Sequence, residues 1–149
     1  MMRRLAHRGP DADGILAEPD GPGVLGHRRL AIVDPPGGDQ PIRDEAARRA
    51  IVANGEIYNL PALQSRLAGR YRFRTSSDSE AALALYGETG TGCPSDLDGI
   101  FAFAIADGED LFMARDPIGI KPLYIGRRNG DLLFASEIKA LTGLADEVK

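Results

Sequence analysis

The 149 residues are enough for one domain with a real core and too few for two ordinary ones. Apolar residues make up 43% and charged residues 27%, the balance of a folded domain and not of a disordered chain. A net charge of -4 with scattered basic residues argues against a nucleic-acid surface, and the apolar runs are too short to span a bilayer.

Nothing in the opening MMRRLAHRGPD resembles a signal-peptide core, so a cytoplasmic setting is expected. The single cysteine, Cys93, excludes a disulfide within the chain and an all-cysteine zinc site. His7 and His27 have no ligand spacing to each other or to a cysteine, and no metal is expected.

In chain order, the cluster PDGPG (19–23) predicts a turn, and VLGHRRLAIV (24–33) predicts a strand or two ending at the breaker DPPGG (34–38). AIVA (50–53) reads as a short strand stopped by a turn at Asn54-Gly55. PALQSRLAG, from Pro61, predicts a short helix with proline in its first turn and Gly69 past its end. YRFRT (71–75) alternates like a half-exposed strand, and Ser77-Asp78-Ser79-Glu80 matches a capping box that starts a helix over 81–88.

IFAFAIA (100–106) alternates large and small apolar residues, which predicts a strand covered on both faces, between helices and a second sheet. Asp107-Gly108 and Asn129-Gly130 each lie between apolar strands and predict two antiparallel hairpins. Ser136 is placed to cap a last short helix ending near Gly143. The sum is an α+β domain with mostly antiparallel strands.

Arg28 and Arg29 lie inside an apolar strand, and alternation sends one of them to the covered side. A buried guanidinium needs an anion: an internal carboxylate, or the carboxylate of a ligand held by a paired fork. Asn54 and Gly55 supply an amide and an unobstructed backbone N–H, a pair of donors suited to an oxyanion, though an Asn-Gly pair also serves as a plain turn. Asp78 in the first turn of a helix is either a surface group that offsets the dipole or a grip for an ammonium. Arg29, Asn54, Gly55 and Asp78 together suit an α-amino acid with a reactive side-chain carbonyl.

The segments HRGPD (7–11), GHRRLAIVD (26–34), NGEIYN (54–59), SDSE (77–80), FAFAIAD (101–107), ARDPIGIKPLY (114–124) and FASEIKAL (134–141) resemble, in this order, the class II glutamine amidotransferase domain of glutamine-hydrolysing asparagine synthetases. The resemblance implies an N-terminal-nucleophile hydrolase fold, an αββα sandwich of antiparallel sheets, and L-glutamine as substrate. It implies that Arg29 binds the α-carboxylate, that Leu30, Ala31, Ile32 and Val33 line the pocket, and that Asn54 and Gly55 form the oxyanion hole. Glu56 and Asp78 then hold the polar end of glutamine, with Asp78 at its ammonium group. A cysteine thiolate attacks the amide, and ammonia passes to an ATP-dependent synthetase domain or subunit.

The chain departs from the family where the family carries its nucleophile. A start resembling Met-Cys-Gly-Ile is expected, whereas this chain opens Met1-Met2-Arg3, and Cys93 is internal and far from every pocket motif. The expectation is therefore a glutaminase domain over 1–149, shortened at its N terminus, without its first strand and without the synthetase half to which ATP and magnesium belong. A glutamine-binding regulatory or scaffolding module and a sister class II amidotransferase are the alternatives.

Overall fold

The computed structural model describes residues 1–17, 23–30 and 38–149. Along the chain run β1 (Ala12–Ala17), β2 (Val24–Arg29), β3 (Ile42–Asp44), β4 (Arg49–Ile57), α1 (Leu60–Leu67), α2 (Asp78–Thr89), β5 (Gly99–Asp107), β6 (Asp110–Arg115), β7 (Tyr124–Arg128), β8 (Asp131–Ala135) and β9 (Glu147–Val148). Every pairing is antiparallel. No helix among the described residues is long and apolar enough to cross a membrane.

The central sheet has the order β3-β4-β5-β6 and is held by its two longest strands, paired from Arg49 with Asp107 to Ile57 with Gly99. The large and small faces of β5 separate as the alternation predicts. Phe101, Phe103 and Ile105 pack against Leu63 and Leu67 of α1 and Leu83 and Leu85 of α2. Ala104 and Ala106, with Ala50 and Val52 of β4, meet Leu16 of β1, Leu25 of β2 and Phe134 of β8. Small side chains on that face let a second layer approach closely.

This second layer comes as two sheets, β1-β2 and β8-β7-β9. Alternation along β8 turns Phe134 toward the central sheet and sends Leu133 and Ala135 outward, against Leu5, Ala140 and Leu141. Those residues belong to or adjoin the 3-10 turns Met2–Leu5 and Ile138–Ala140, so the outer helical layer of the αββα arrangement is thin.

Both hairpins form, and the Asn129-Gly130 turn is as expected, whereas the other turn is shifted by one residue. Asn129 and Gly130 carry positive φ of 52° and 91° between the paired Arg128 and Asp131. In the other, the two-residue loop is Gly108-Glu109, and Asp107 is the last paired residue of β5, opposite Asp110. Gly108 alone supplies the positive φ, 60°.

Several expectations need correcting. Asn54-Gly55 does not end a strand, because β4 continues through it to Ile57 and Gly55 pairs with Phe101. Residues 71–75 alternate in burial but form no strand, since the Arg74 and Thr75 N–H groups donate to the Glu80 carboxylate at 2.8 and 2.7 Å. The capping box is not formed either: the Ser77 N–H donates to Thr75 Oγ1 at 3.1 Å, and the Ser77 side chain caps nothing. Finally, SEIKAL folds as a three-residue 3-10 turn with no side-chain cap, although Gly143 past it has the expected positive φ of 69°.

The helix α2 also begins three residues earlier than predicted, at Asp78, and every residue from there to Tyr86 is buried. A segment enclosed on all sides has no amphipathic stripe to reveal its start. β2 ends at Arg29. The remainder of the predicted strand at 31–33, and most of the turn clusters at 19–23 and 34–38, lie outside the described residues.

Candidate functional site

In an antiparallel ladder, alternate residues turn their backbone groups to opposite neighbours. The Tyr58 N–H donates to the Asp98 carbonyl at 2.7 Å, and the Phe101 carbonyl turns to the β6 side, where it accepts the Asp116 N–H at 2.7 Å. Ile57, Gly55 and Ala53 therefore direct their own N–H and C=O groups away from β5, toward the β3 side. But β3 is three residues long and reaches only Ile51.

Past Ile51, side chains close the edge of β4. The Ala53 N–H donates to Gln40 Oε1 at 2.6 Å, and the Ala53 carbonyl accepts from His27 Nε2 at 3.0 Å. The Ile57 N–H donates to Asp78 Oδ2 at 2.7 Å. Between these struts the Gly55 N–H faces an edge with no strand beside it among the described residues. Next to it, Asn54 Nδ2 is buried without a hydrogen-bond partner among the described residues. A buried unpaired donor costs about 1–3 kcal/mol, so Asn54 Nδ2, beside the outward-turned N–H of the exposed Gly55, marks a place suited to an acceptor.

Glycine is required at position 55. Its φ is +147°, and a Cβ would run into the Ile100 carbonyl oxygen and lie 2.7 Å from Phe101 Cα. The close pairing that fixes the donor thus leaves no space for any side chain.

The arginine pair behaves as the alternation predicts. Arg28 turns outward to the Gly9 carbonyl at 3.0 Å and to Asp13 at 3.2 Å. Arg29 is buried, with 6% of its surface exposed, and its guanidinium donates to Asp39 Oδ1 at 2.6 Å. The Asp39 side chain is 74% exposed, so a ligand carboxylate can displace it without being buried against it. A cavity of about 180 Å³ opens here, walled by residues 12–15 with Arg29, Asp39, Gln40 and Pro41.

Asp78 is buried, which overturns the reading of it as a surface group. Its two oxygens accept the Ile57 N–H at 2.7 Å and the Ser79 N–H at 2.9 Å, and each keeps a second lone pair. Gln40 ties the two ends together: beyond its bond to Ala53, its Nε2 lies 3.5 Å from Ser79 Oγ, beside Asp78. Glu56 and Leu30 are exposed. Ala31, Ile32 and Val33 lie outside the described residues.

Cys93 packs into the helix-side core with Phe101 and Leu85, and burial, with Asp96 nearby, pushes its thiol up to about 12. It has neither the position nor the acidity of a nucleophile. Other motif segments are structural. His7 and Arg8 reach Glu137 at 3.1 and 3.3 Å, and Lys139, with both of them, holds that carboxyl below its usual range. Asp116 accepts the N–H groups of Lys121 and Ile120, which keep its carboxyl low and shape the DPIGIK turn.

Sequence reasoning missed Gln40, His27 and Asp39. A lone glutamine beside a turn cluster carries no signal of its own, and the histidine showed only that it lacked metal-ligand spacing. Burial pushes the His27 imidazole below its ordinary 6.5, more than its bond to Ala53 holds it up; Arg29 adds to the lowering and Asp39 opposes it. Between that lowered value and 6.5 the unfolded chain binds the proton more readily than the folded one. Stability is thus fully present above pH 6.5 and is lost as the pH falls below it. Thermal melts of the wild type and of His27→Gln between about pH 7.5 and 5.5 should show a steeper loss in the wild type; parallel curves would refute this.

Residues 1–148 match the family described as glutamine amidotransferase domain. The chain belongs to that family. It is 44% identical over 152 residues to asparagine synthetase B [glutamine-hydrolyzing] of Escherichia coli K12, covering 100% of this chain and 27% of that protein. It is 49% identical over 145 residues to asparagine synthetase [glutamine-hydrolyzing] 3 of Arabidopsis thaliana, covering 95% of this chain and 25% of the relative. The chain thus spans about a quarter of the length of these relatives.

Among solved structures, the glutamine phosphoribosylpyrophosphate amidotransferase of B. subtilis, complexed with ADP and GMP, superposes with a TM-score of 0.81. It is 26% identical, and the match covers 95% of this chain and 39% of that one. The fold is that of the N-terminal-nucleophile amidotransferases, and the domain is homologous to the glutaminase half of asparagine synthetases.

Proposed function

We propose that this glutamine amidotransferase domain binds L-glutamine along the open edge of β4 and polarises its side-chain amide. The observation that carries the reading is the buried Asn54 Nδ2, unpartnered among the described residues, beside the Gly55 N–H turned away from β5, with the buried Arg29 and Asp78 on neighbouring elements. The α-carboxylate takes the Arg29 fork in place of Asp39, and the ammonium takes the free lone pairs of Asp78. Glu56 holds the polar end. The amide oxygen then meets Asn54 and Gly55, where the negative charge of a tetrahedral adduct develops.

Ammonia release needs a thiolate to attack the amide carbon; the adduct expels ammonia, and water hydrolyses the resulting thioester to glutamate. Cys93, the only cysteine, is too deeply packed and too weakly acidic to serve. We assign to these 149 residues the binding and oxyanion parts of a glutaminase. The ammonia acceptor, with ATP and magnesium, belongs to an ATP-dependent synthetase domain or subunit, and the glutamine site itself is assigned no cofactor.

Calorimetry with glutamine and an ammonia assay on the same sample test this. Binding without ammonia is expected, and Arg29→Lys should weaken it about tenfold or more, since a single ammonium cannot replace the fork. No detectable binding would overturn the reading; ammonia release by this chain would overturn the exclusion of Cys93.

A further inference from the structure

We propose that His27 and Gln40 are positioning residues that clamp the Ala53 backbone from both sides and thereby aim the Asn54 and Gly55 donors. The inference rests on the reading of those donors as the amide-oxygen subsite.

The clamp follows from how the edge of β4 is closed. Buried backbone groups need partners, and the usual partner for a strand edge is another strand. Had β3 continued past Ile42, it would have satisfied Ala53 and covered the Gly55 N–H as well. Single side chains do the first without the second. Gln40 takes the Ala53 N–H and His27 the Ala53 carbonyl, Asp78 takes the Ile57 N–H, and among the described residues an opening one residue wide remains at Gly55.

Both side chains have their orientation dictated. A carbonyl only accepts, so His27 Nε2 carries the proton, and Nδ1 is left buried and unpartnered among the described residues. The Ala53 N–H only donates, so the Gln40 oxygen faces it and the Gln40 nitrogen faces Ser79 on α2. The Ala53 carbonyl and the Asn54 N–H belong to one rigid peptide, so a bond to the first fixes the plane from which Asn54 and then Gly55 project. Donors aimed in advance act without reorganising when charge appears, and that is what such a shell of supporting bonds provides.

The test compares L-glutamine with L-norvaline, which keeps the α-amino acid end and lacks the side-chain amide, by calorimetry on the folded chain. The ratio of the two affinities reports the contact at the amide oxygen and is blind to Arg29 and Asp78. The wild type should prefer glutamine. His27→Leu and Gln40→Leu should cut that preference about three- to tenfold, glutamine affinity falling by that much more than norvaline affinity. His27→Gln, which keeps an N–H donor, and Gln40→Glu, which keeps the acceptor, should restore it.

An unchanged preference in the leucine variants, or an equal loss of both ligands, would overturn the clamp. A wild type that binds both ligands equally would instead overturn the donor reading beneath it. Should a leucine variant fail to fold, His27→Asn or Gln40→Asn, each polar but shorter in reach, takes its place: a reduced preference supports the clamp, and an unchanged one overturns it.

Discussion

Gly55→Ala should cost about 4 kcal/mol and lower Tm by about 10 °C. Two penalties combine: a φ of +147°, which an L residue with a side chain rarely adopts, and a Cβ pressed against backbone atoms of Ile100 and Phe101 that cannot rotate away. The strands must separate to admit the methyl, and the Gly55 N–H moves with them. The variant should therefore also lose its preference for glutamine over norvaline. Gly69→Ala is the internal control, because φ there is +78° but a Cβ would meet nothing within 4 Å. It should pay only the conformational cost, about 1 kcal/mol. Equal Tm values for the two variants would show that the close approach of β4 and β5 is not what demands glycine.

Glu80→Ala should be nearly as damaging, at about 3 kcal/mol. The carboxylate is fully buried and accepts from the Arg74 N–H at 2.8 Å, the Thr75 N–H at 2.7 Å, Thr75 Oγ1 at 2.6 Å and the Tyr71 hydroxyl at 3.2 Å. Burial, and then the adjacent Glu80 charge, raises the Tyr71 hydroxyl well above its ordinary value, so Tyr71 remains a donor. With the carboxylate gone, the donors turn to water only if residues 71–75 leave α2. That release loosens the first turn, where Asp78 holds the Ile57 N–H, so glutamine affinity should fall as well.

Glu80→Gln keeps the volume and one acceptor oxygen, but turns an N–H₂ on one pair of donors. About half the loss is expected. Urea titrations of wild type, Glu80→Gln and Glu80→Ala should rank in that order. A Gln variant as stable as the wild type would mean that the packing of the side chain, and not its acceptor pair, secures the segment.

Glu80 also shows why part of the fold was legible and part was not. The Ser-x-x-Glu pattern correctly marks a helix start and a glutamate that reaches back, because both are local consequences of an N-terminal turn with open donors. Which donors the glutamate reaches is not local. Thr75 and Arg74 present theirs only because the segment before α2 is drawn over the helix-side core by Tyr71 and Phe73. The same distinction applies at Asn54-Gly55. Glycine with positive φ is legible from the pair itself, but a hairpin turn and a strand interior both accept it. β5, which follows only after both helices, decides between them by pairing with β4 through Gly55 to Ile57.

Within the candidate site, Arg29, Asn54, Gly55 and Asp78 stand out in the sequence because each is chemically conspicuous where it stands: a charge in an apolar strand, a donor beside a glycine, a carboxylate at a helix start. Gln40 and His27 are ordinary until the shortness of β3 leaves Ala53 without a strand partner. Asp39 gains its place only when Arg29 is buried beside it.

The 149 residues by themselves determined one acidic domain, its antiparallel layers, its hairpins and a set of groups fit for an α-amino acid. These follow from alternation, turn chemistry and charge, which act between near neighbours. Only the tertiary structure decided which donors remain open. Whether a backbone N–H on β4 is bonded or available depends on how far a separate strand extends and which side chains stand where it stops, and no local pattern encodes that reach.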